Sequence, residues 1–253
     1  MNAHFKTWLV TASICAGFTV AADSHAALET TLGGQAYYDT ALNVTWLANA
    51  NLAASNSFGV SGIDSSGWMT WNTAMSWIGA MNAAHYLGYN DWRLPTTGPV
   101  NGVAITLPGA PNYETYNGSA DIGYSISAAG TAFAGSKASE MAYLFYNTLG
   151  NKAYVDFSGS VQLGNWALNG VGPFSNLDAA STYWSSTPYY SNAAWNFDFD
   201  FGAQNEGYKT AHYYAWAVRT GDSPLPVPEP GMSGLLISGL LTLAWKARQR
   251  RNA

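Results

Sequence analysis

The segment Trp195-Asn196-Phe197-Asp198-Phe199-Asp200-Phe201 alternates aromatic and polar residues without a break. Successive side chains of a strand point to opposite faces, so this period of two predicts a strand with one aromatic and one polar face. Four large aromatics on one face must lie against an apolar layer. Tyr183-Trp184-Ser185-Ser186-Thr187 and the aromatic run Ala211 to Arg219 are predicted as neighbouring strands. Towards the N-terminus, Gly33 to Asp39 reads as a strand ending in a turn and Asn43 to Leu47 as the next strand, which together predict a hairpin.

The opposing layer is helical. Ala74, Trp77, Ile78, Met81 and Ala84 fall at helical spacing, which predicts a helix over about 70–84 with Thr70 as its N-cap. Met141, Leu144, Phe145, Thr148 and Leu149 predict a second helix over about 137–149, with Ser136 as N-cap and Gly150 as its stop. Both apolar stripes are read as core. The fold class is therefore α+β: a single domain over 27–222, with two helices packed on antiparallel strands. Residues 97–135 are rich in Gly, Pro and Asn and too long for a simple connection, so they are read as a binding loop or an insertion.

Composition narrows the function. The chain has 253 residues, 48% hydrophobic and 15% aromatic but only 10% charged, with a net charge of -5. Such a chain can build a core, and its sign excludes a basic nucleic-acid binder. Both ends read as processing signals. Lys6, the apolar stretch Trp8 to Ala22 and the small residues Ser24 and Ala26 predict a signal peptide over 1–26, which carries away Cys15, the only cysteine. At the other end a proline-dense stretch, 223–230, precedes an apolar segment, 231–245, and the cations Lys246, Arg248, Arg250 and Arg251. At 1.5 Å per residue that segment forms about 22 Å of helix, less than a ~30 Å bilayer core.

The order Pro228-Glu229-Pro230, short apolar helix and basic tail resembles the PEP-CTERM sorting signal of Gram-negative bacteria. That resemblance implies a transient inner-membrane helix at 231–245, recognition by an exosortase, cleavage near Pro228-Glu229-Pro230, and release to the cell surface or extracellular matrix. Arg248, Arg250 and Arg251 form the signal's basic end. Removing both ends leaves five basic and thirteen acidic residues, a net charge of about -8. Such a domain should not adhere electrostatically to polyanions.

Five motifs in order, Asp39–Trp46 (DTALNVTW), Asp91–Thr96 (DWRLPT), Tyr183–Thr187 (YWSST), Trp195–Gly202 and Ala215–Arg219 (AWAVR), resemble the DUF1566 family, also called the Lcl C-terminal domain. The resemblance spans most of 35–221. It implies a compact fold related to C-type lectins, in a family whose namesake is a surface adhesin for sulfated polysaccharides. The copper-binding cysteine pair of the related formylglycine-generating enzymes has no counterpart here. The motif residues Asp39, Trp46, Asp91, Trp92, Arg93, Pro95, Trp184 and Arg219 are read as structural. Trp92 and Trp184 anchor the core, and Arg93 is expected to pair with Asp39 or Asp91 through its planar fork.

No catalytic residue is assigned. The mature chain has only His85 and His212, in no ligand spacing, and no Ser-rich segment carries a nucleophile elbow. His85, at the end of the first helix, is read as a capping residue. Asp198 and Asp200 are weak candidates for Ca²⁺, with Asn196 and loops such as Asn176–Asp178 or Asn205-Glu206 adding oxygens, but a solvated strand face is the plainer reading and no cofactor is expected. Nine Trp lie outside the two ends, too many to bury entirely. Tyr113, Tyr116, Tyr189, Tyr190 and Asn192 are the candidate carbohydrate contacts. The expected function is non-catalytic binding of extracellular polysaccharide. The alternatives are a structural matrix protein with no specific ligand and a Ca-dependent module.

Overall fold

The computed structural model describes residues 28–103, 114–162, 164, 168–178 and 182–222. In chain order the regular elements are β1 (Leu28–Thr31), β2 (Ala36–Asp39), β3 (Val44–Leu47), α1 (Trp71–Ala83), β4 (Glu114–Thr115), β5 (Ile122–Tyr124), α2 (Glu140–Tyr143), β6 (Thr182–Pro188), β7 (Ala193–Asp198), β8 (Ala203–Tyr208) and β9 (Val218–Thr220). They form two sheets, ordered β1-β2-β3-β9 and β4-β5-β8-β7-β6. All pairs are antiparallel except the two-residue pair β4–β5. The predicted α+β class with two helices and antiparallel strands is what forms.

The N-terminal hairpin is β2–β3, in register Asp39↔Val44. Its turn is built by Asp39, whose Oδ1 accepts from the N–H groups of Ala41 and Leu42 at 3.0 Å. Asn43 supplies the left-handed residue, φ 57°. The strand expected from Gly33 begins only at Ala36. Gly33 and Gly34 take positive φ in a 3-10 turn, which removes them from the ladder.

The aromatic alternation that opens the sequence argument holds as far as Asp198. There the carboxylate Oδ1 accepts from the N–H groups of Asp200 and Phe201, at 2.8 and 3.3 Å, and turns the chain. The predicted strand therefore ends three residues early, and Phe199 reaches the core from the turn rather than from a ladder. Its polar face is not solvated either: Asn196 is buried opposite Trp184 and close to Tyr213 and Gly207. The run Ala211 to Arg219 is likewise not one strand. It bridges Met69 at Tyr213 and β6 at Tyr214, then joins β3 as β9. A segment passing from one sheet to the other cannot stay in register with either.

Helix α1 has the predicted cap, Thr70 Oγ1 accepting from Thr73 N–H at 3.3 Å, and buries Ala74, Trp77, Ile78 and Met81. The second helix is shorter than expected. Its N-cap is Ser139, whose Oγ accepts from Ala142 N–H at 3.3 Å, while Ser136 donates its hydroxyl to Val100 O. Ser139 bridges Thr97, and Glu140 N–H donates to Thr96 O, so the start is fixed by that strand-like segment. After Tyr143 the helix widens into a π-turn, Leu144–Thr148, closed by Leu149 N–H on Leu144 O at 2.8 Å. The wider turn buries three consecutive residues, Leu144, Phe145 and Tyr146. Gly150 then stops it at φ 68°, as predicted.

The two layers meet in an aromatic core. Trp46, Trp77, Trp92, Trp184, Trp195 and Trp216 are fully buried, whereas Trp68 is 43% exposed. Trp216 packs on Trp46 and Phe174 at 4.8 Å and donates Nε1–H to Leu47 O. Among the described residues no helix is long and apolar enough to cross a membrane. The signal peptide, the apolar segment 231–245, Pro228, Glu229, Pro230, Arg248, Arg250 and Arg251, Tyr113 and Trp166 all lie outside the described residues.

Candidate functional site

The motif residues form a brace, with one pairing different from that expected. Arg93 pairs with neither Asp39 nor Asp91 but with Glu140, Nη1 to Oε2 at 2.7 Å and Nη2 to Oε1 at 2.8 Å. Asp39 is taken by its own turn and by the Thr148 hydroxyl at 2.6 Å. Asp91 is held by Arg219, Nε to Oδ1 and Nη2 to Oδ2, both 2.9 Å, with the guanidinium carbon 3.9 Å from the Tyr89 ring centre. Pro95 O accepts from Ser186 N–H at 2.8 Å. Trp92 is clamped by the Asn82 side chain through its N–H and C=O, both 2.8 Å, and donates Nε1–H to Tyr86 O. These contacts tie the Asp91–Thr96 motif to α2, β6 and β9.

Three of the candidate sugar contacts converge. β6 ends at Pro188, the chain turns through Tyr189–Asn192, and the N–H groups of Tyr189 and Tyr190 reach Ala193 O at 3.0 and 3.3 Å. Antiparallel pairing sets Ala193 against Tyr208 and Trp195 against Glu206. The result is an open pocket of about 300 Å³ lined by Tyr189, Tyr190, Asn192, Ala193, Glu206 and Tyr208. Tyr189 is packed from beneath, 5.0 Å from Trp195 and 4.4 Å from Tyr190 between ring centres. Tyr190 and Tyr208 present 44% and 69% of their surfaces to solvent. Lys209 steadies the turn: its Nζ–H donates to Ser191 O at 3.2 Å and lies 4.4 Å from the Trp71 ring centre. The pocket thus offers flat aromatic faces, an amide and a carboxylate on a rigid two-strand base. Such a lining can stack on an apolar ring face and bond hydroxyl groups.

Tyr116 does not join this pocket. It lies across the molecule, 46% exposed, with its ring against Gly159 and 5.8 Å from Tyr124. A second cavity, of about 400 Å³, opens on the same loop and has Phe157 on its wall. Glu206, Tyr208 and Phe157 are absent from the carbohydrate contacts read in the sequence, where Glu206 figures only as an oxygen for the candidate Ca²⁺ site. Gln204, Glu206 and Tyr208 do alternate, but without β-branched residues the alternation is a weak strand signal.

Asp198 and Asp200 do not share a strand face, because the turn between them consumes an Asp198 oxygen. Burial pushes the Asp198 carboxyl above its ordinary range. Among the described residues no three His, Cys, Asp or Glu side chains gather to hold a metal ion. His85 sits at φ 48° just past α1, and both His85 and His212 are exposed and outside either pocket's lining.

Residues 35–219 match the family model of the Lcl C-terminal domain, and the chain belongs to that family. No curated protein matches it.

Proposed function

We propose that this Lcl C-terminal domain protein is an exported, non-catalytic module that binds neutral or weakly charged polysaccharide at the Tyr190–Tyr208 pocket, on a fold akin to that of C-type lectins. The observation that carries the reading is the pairing of two exposed tyrosines with Asn192 and Glu206 on one rigid ribbon. Exposed aromatics on a hairpin whose backbone is already paired bind with a smaller ordering cost than on a free loop. The charge balance points the same way: five basic residues against thirteen acidic ones suit a neutral glycan better than a sulfated one. Asn192 would donate to or accept from hydroxyl groups at the ring edge, and Glu206 would accept from them.

The test is affinity for the producer's own exopolysaccharide at low and at high ionic strength. Stacking should persist when salt is raised, and Tyr190→Ala or Tyr208→Ala should each weaken binding about tenfold, roughly the 1.4 kcal/mol that a lost stacking face is worth. A steep loss of affinity with salt, unaffected by these variants, would instead indicate a polyanion site. Turnover of the glycan would refute the non-catalytic reading.

Export is the second part of the proposal. The signal peptide over 1–26 and the PEP-CTERM-like end support passage through the inner membrane and processing by an exosortase, then placement at the surface or in the matrix. Intact mass of the extracellular form should lack residues 1–26 and the chain beyond Pro228-Glu229-Pro230. Surface protein that retains the apolar segment 231–245 would contradict it.

A further inference from the structure

The second cavity differs in character from the tyrosine pocket. Its floor is Tyr146, whose hydroxyl accepts from Ser125 N–H at 2.9 Å and donates to Gly202 O. Its walls carry the methyl groups of Ala128, Ala129 and Ala153 and the ring of Phe157, which is 49% exposed. At the rim stand one cation, Lys152, and one anion, Asp156. The Asp156 Oδ1 accepts from the hydroxyl and N–H of Ser158 and from Ser160 N–H, at 2.6 to 3.0 Å, and these bonds hold its carboxyl below the ordinary range. Lys152 and Asp156 thus place one side chain of each sign on the lining.

The shape is preformed. Asp156 N–H donates to Ser160 O at 2.9 Å, Val155 bridges Val161, and Gln162 donates Nε2–H to Ala153 O and Val155 O at 3.1 Å. Gly130, at φ 85°, turns the chain beside the Phe157 ring. At about 400 Å³ the cavity lies within the size range of small-ligand sites.

We propose that this cavity is a second glycan site that takes an N-acetylated sugar residue. The ring of such a residue has one apolar face, which Phe157 can cover, and its acetamido methyl needs a separate apolar alcove, which the three alanines supply. A plain hexose has no group for that alcove. With one side chain of each sign, Lys152 and Asp156, the lining suits an uncharged ligand with donor and acceptor groups at its edge. The inference deepens the polysaccharide reading and rests on it, but uses none of the residues of the tyrosine pocket. The cavity lies by the Phe201–Gly202 turn, where β8 begins, and the tyrosine pocket lies where β8 ends. At about 3.3 Å per residue the two are roughly 20 Å apart, which would let one domain hold two polysaccharide segments.

N,N′-diacetylchitobiose and cellobiose share a backbone and differ in the acetamido group. Calorimetric titration with each is made on the Tyr190→Ala, Tyr208→Ala double variant, which removes both exposed rings of the first pocket, so that sugar binding reports this cavity. The diacetylated disaccharide should bind at least about tenfold more tightly than cellobiose. Adding Phe157→Ala, or Ala129→Leu to fill the alcove, should remove at least about tenfold of that affinity; both positions are exposed, so the fold should persist. Equal affinity for the two disaccharides, or indifference to both substitutions, would overturn the proposal. So would failure of the diacetylated sugar to bind a protein whose unmutated form still binds exopolysaccharide, and that outcome would leave the tyrosine pocket standing.

Discussion

Trp184→Ala should lower the stability of the domain by about 3–5 kcal/mol, the range for truncating a large buried aromatic. Trp184 is completely buried, packs 4.5 Å from the Tyr213 ring centre and stands opposite Asn196 in the sheet. Its Nε1–H donates to Met69 O at 3.0 Å, immediately before the Thr70 cap of α1. One side chain thus joins the second sheet to the entry of α1 and to the segment that crosses between sheets. Truncation leaves a cavity and removes one of two bonds to Met69 O, which Tyr213 N–H still reaches at 3.1 Å, so the cavity sets the cost. Trp68→Ala is the control. Trp68 is exposed and rests on Tyr214 at 5.8 Å, so its loss should stay within about 1 kcal/mol. Urea midpoints at unchanged slope would measure both. A loss below about 1 kcal/mol for Trp184→Ala would mean that the core closes without it.

What the sequence disclosed and what it hid divide along local and non-local lines. The β2–β3 turn, the cap of α1 and the burial of Trp92 and Trp184 follow from residues close in sequence. The end of β7 is local too, since Asp198 Oδ1 accepts from the N–H groups of Asp200 and Phe201, but the aromatic alternation running on through Phe201 masks it. The start of the second helix is set non-locally. Ser136 and Ser139 are equally good caps locally, and the tie is broken by Thr96 and Thr97, some forty residues upstream. At the candidate site, Tyr189, Tyr190 and Asn192 were legible as polar and aromatic turn residues. Glu206 and Tyr208 reach them only through strand pairing between β7 and β8, which no motif of the chain announces. Of residues 97–135, the described part is more than a loop: β5 pairs with β8, and Asp121 anchors Val100 N–H at 2.6 Å.

The same distinction sets the last expected result. Arg93 had two acids nearby in motif terms and chose a third, so its energetics rest on Glu140. Glu140→Ala should cost about 3 kcal/mol, at the lower end of the range for breaking a buried ion pair, because the Arg93 side chain keeps 28% exposure while Glu140 keeps 10%. The substitution removes both arms of the fork and also orphans Thr96 N–H, which Glu140 Oε2 accepts at 2.7 Å. Three N–H donors, two on Arg93 and one on Thr96, then lose their acceptor where the Asp91–Thr96 motif meets α2, while Arg93 keeps Leu94 O and Thr220 Oγ1. Arg93→Lys should cost less, about 1–2 kcal/mol, since an ammonium keeps the charge and one contact but cannot span both carboxylate oxygens. Neither residue lines the tyrosine pocket, so glycan affinity of the folded variants should stay unchanged. If Arg93→Lys instead kept full stability and lost glycan binding, the pair would belong to a binding surface rather than to the brace. The ordering of the two losses, measured by denaturant midpoints, decides whether the carboxylate serves as a bidentate anchor or only as a nearby charge.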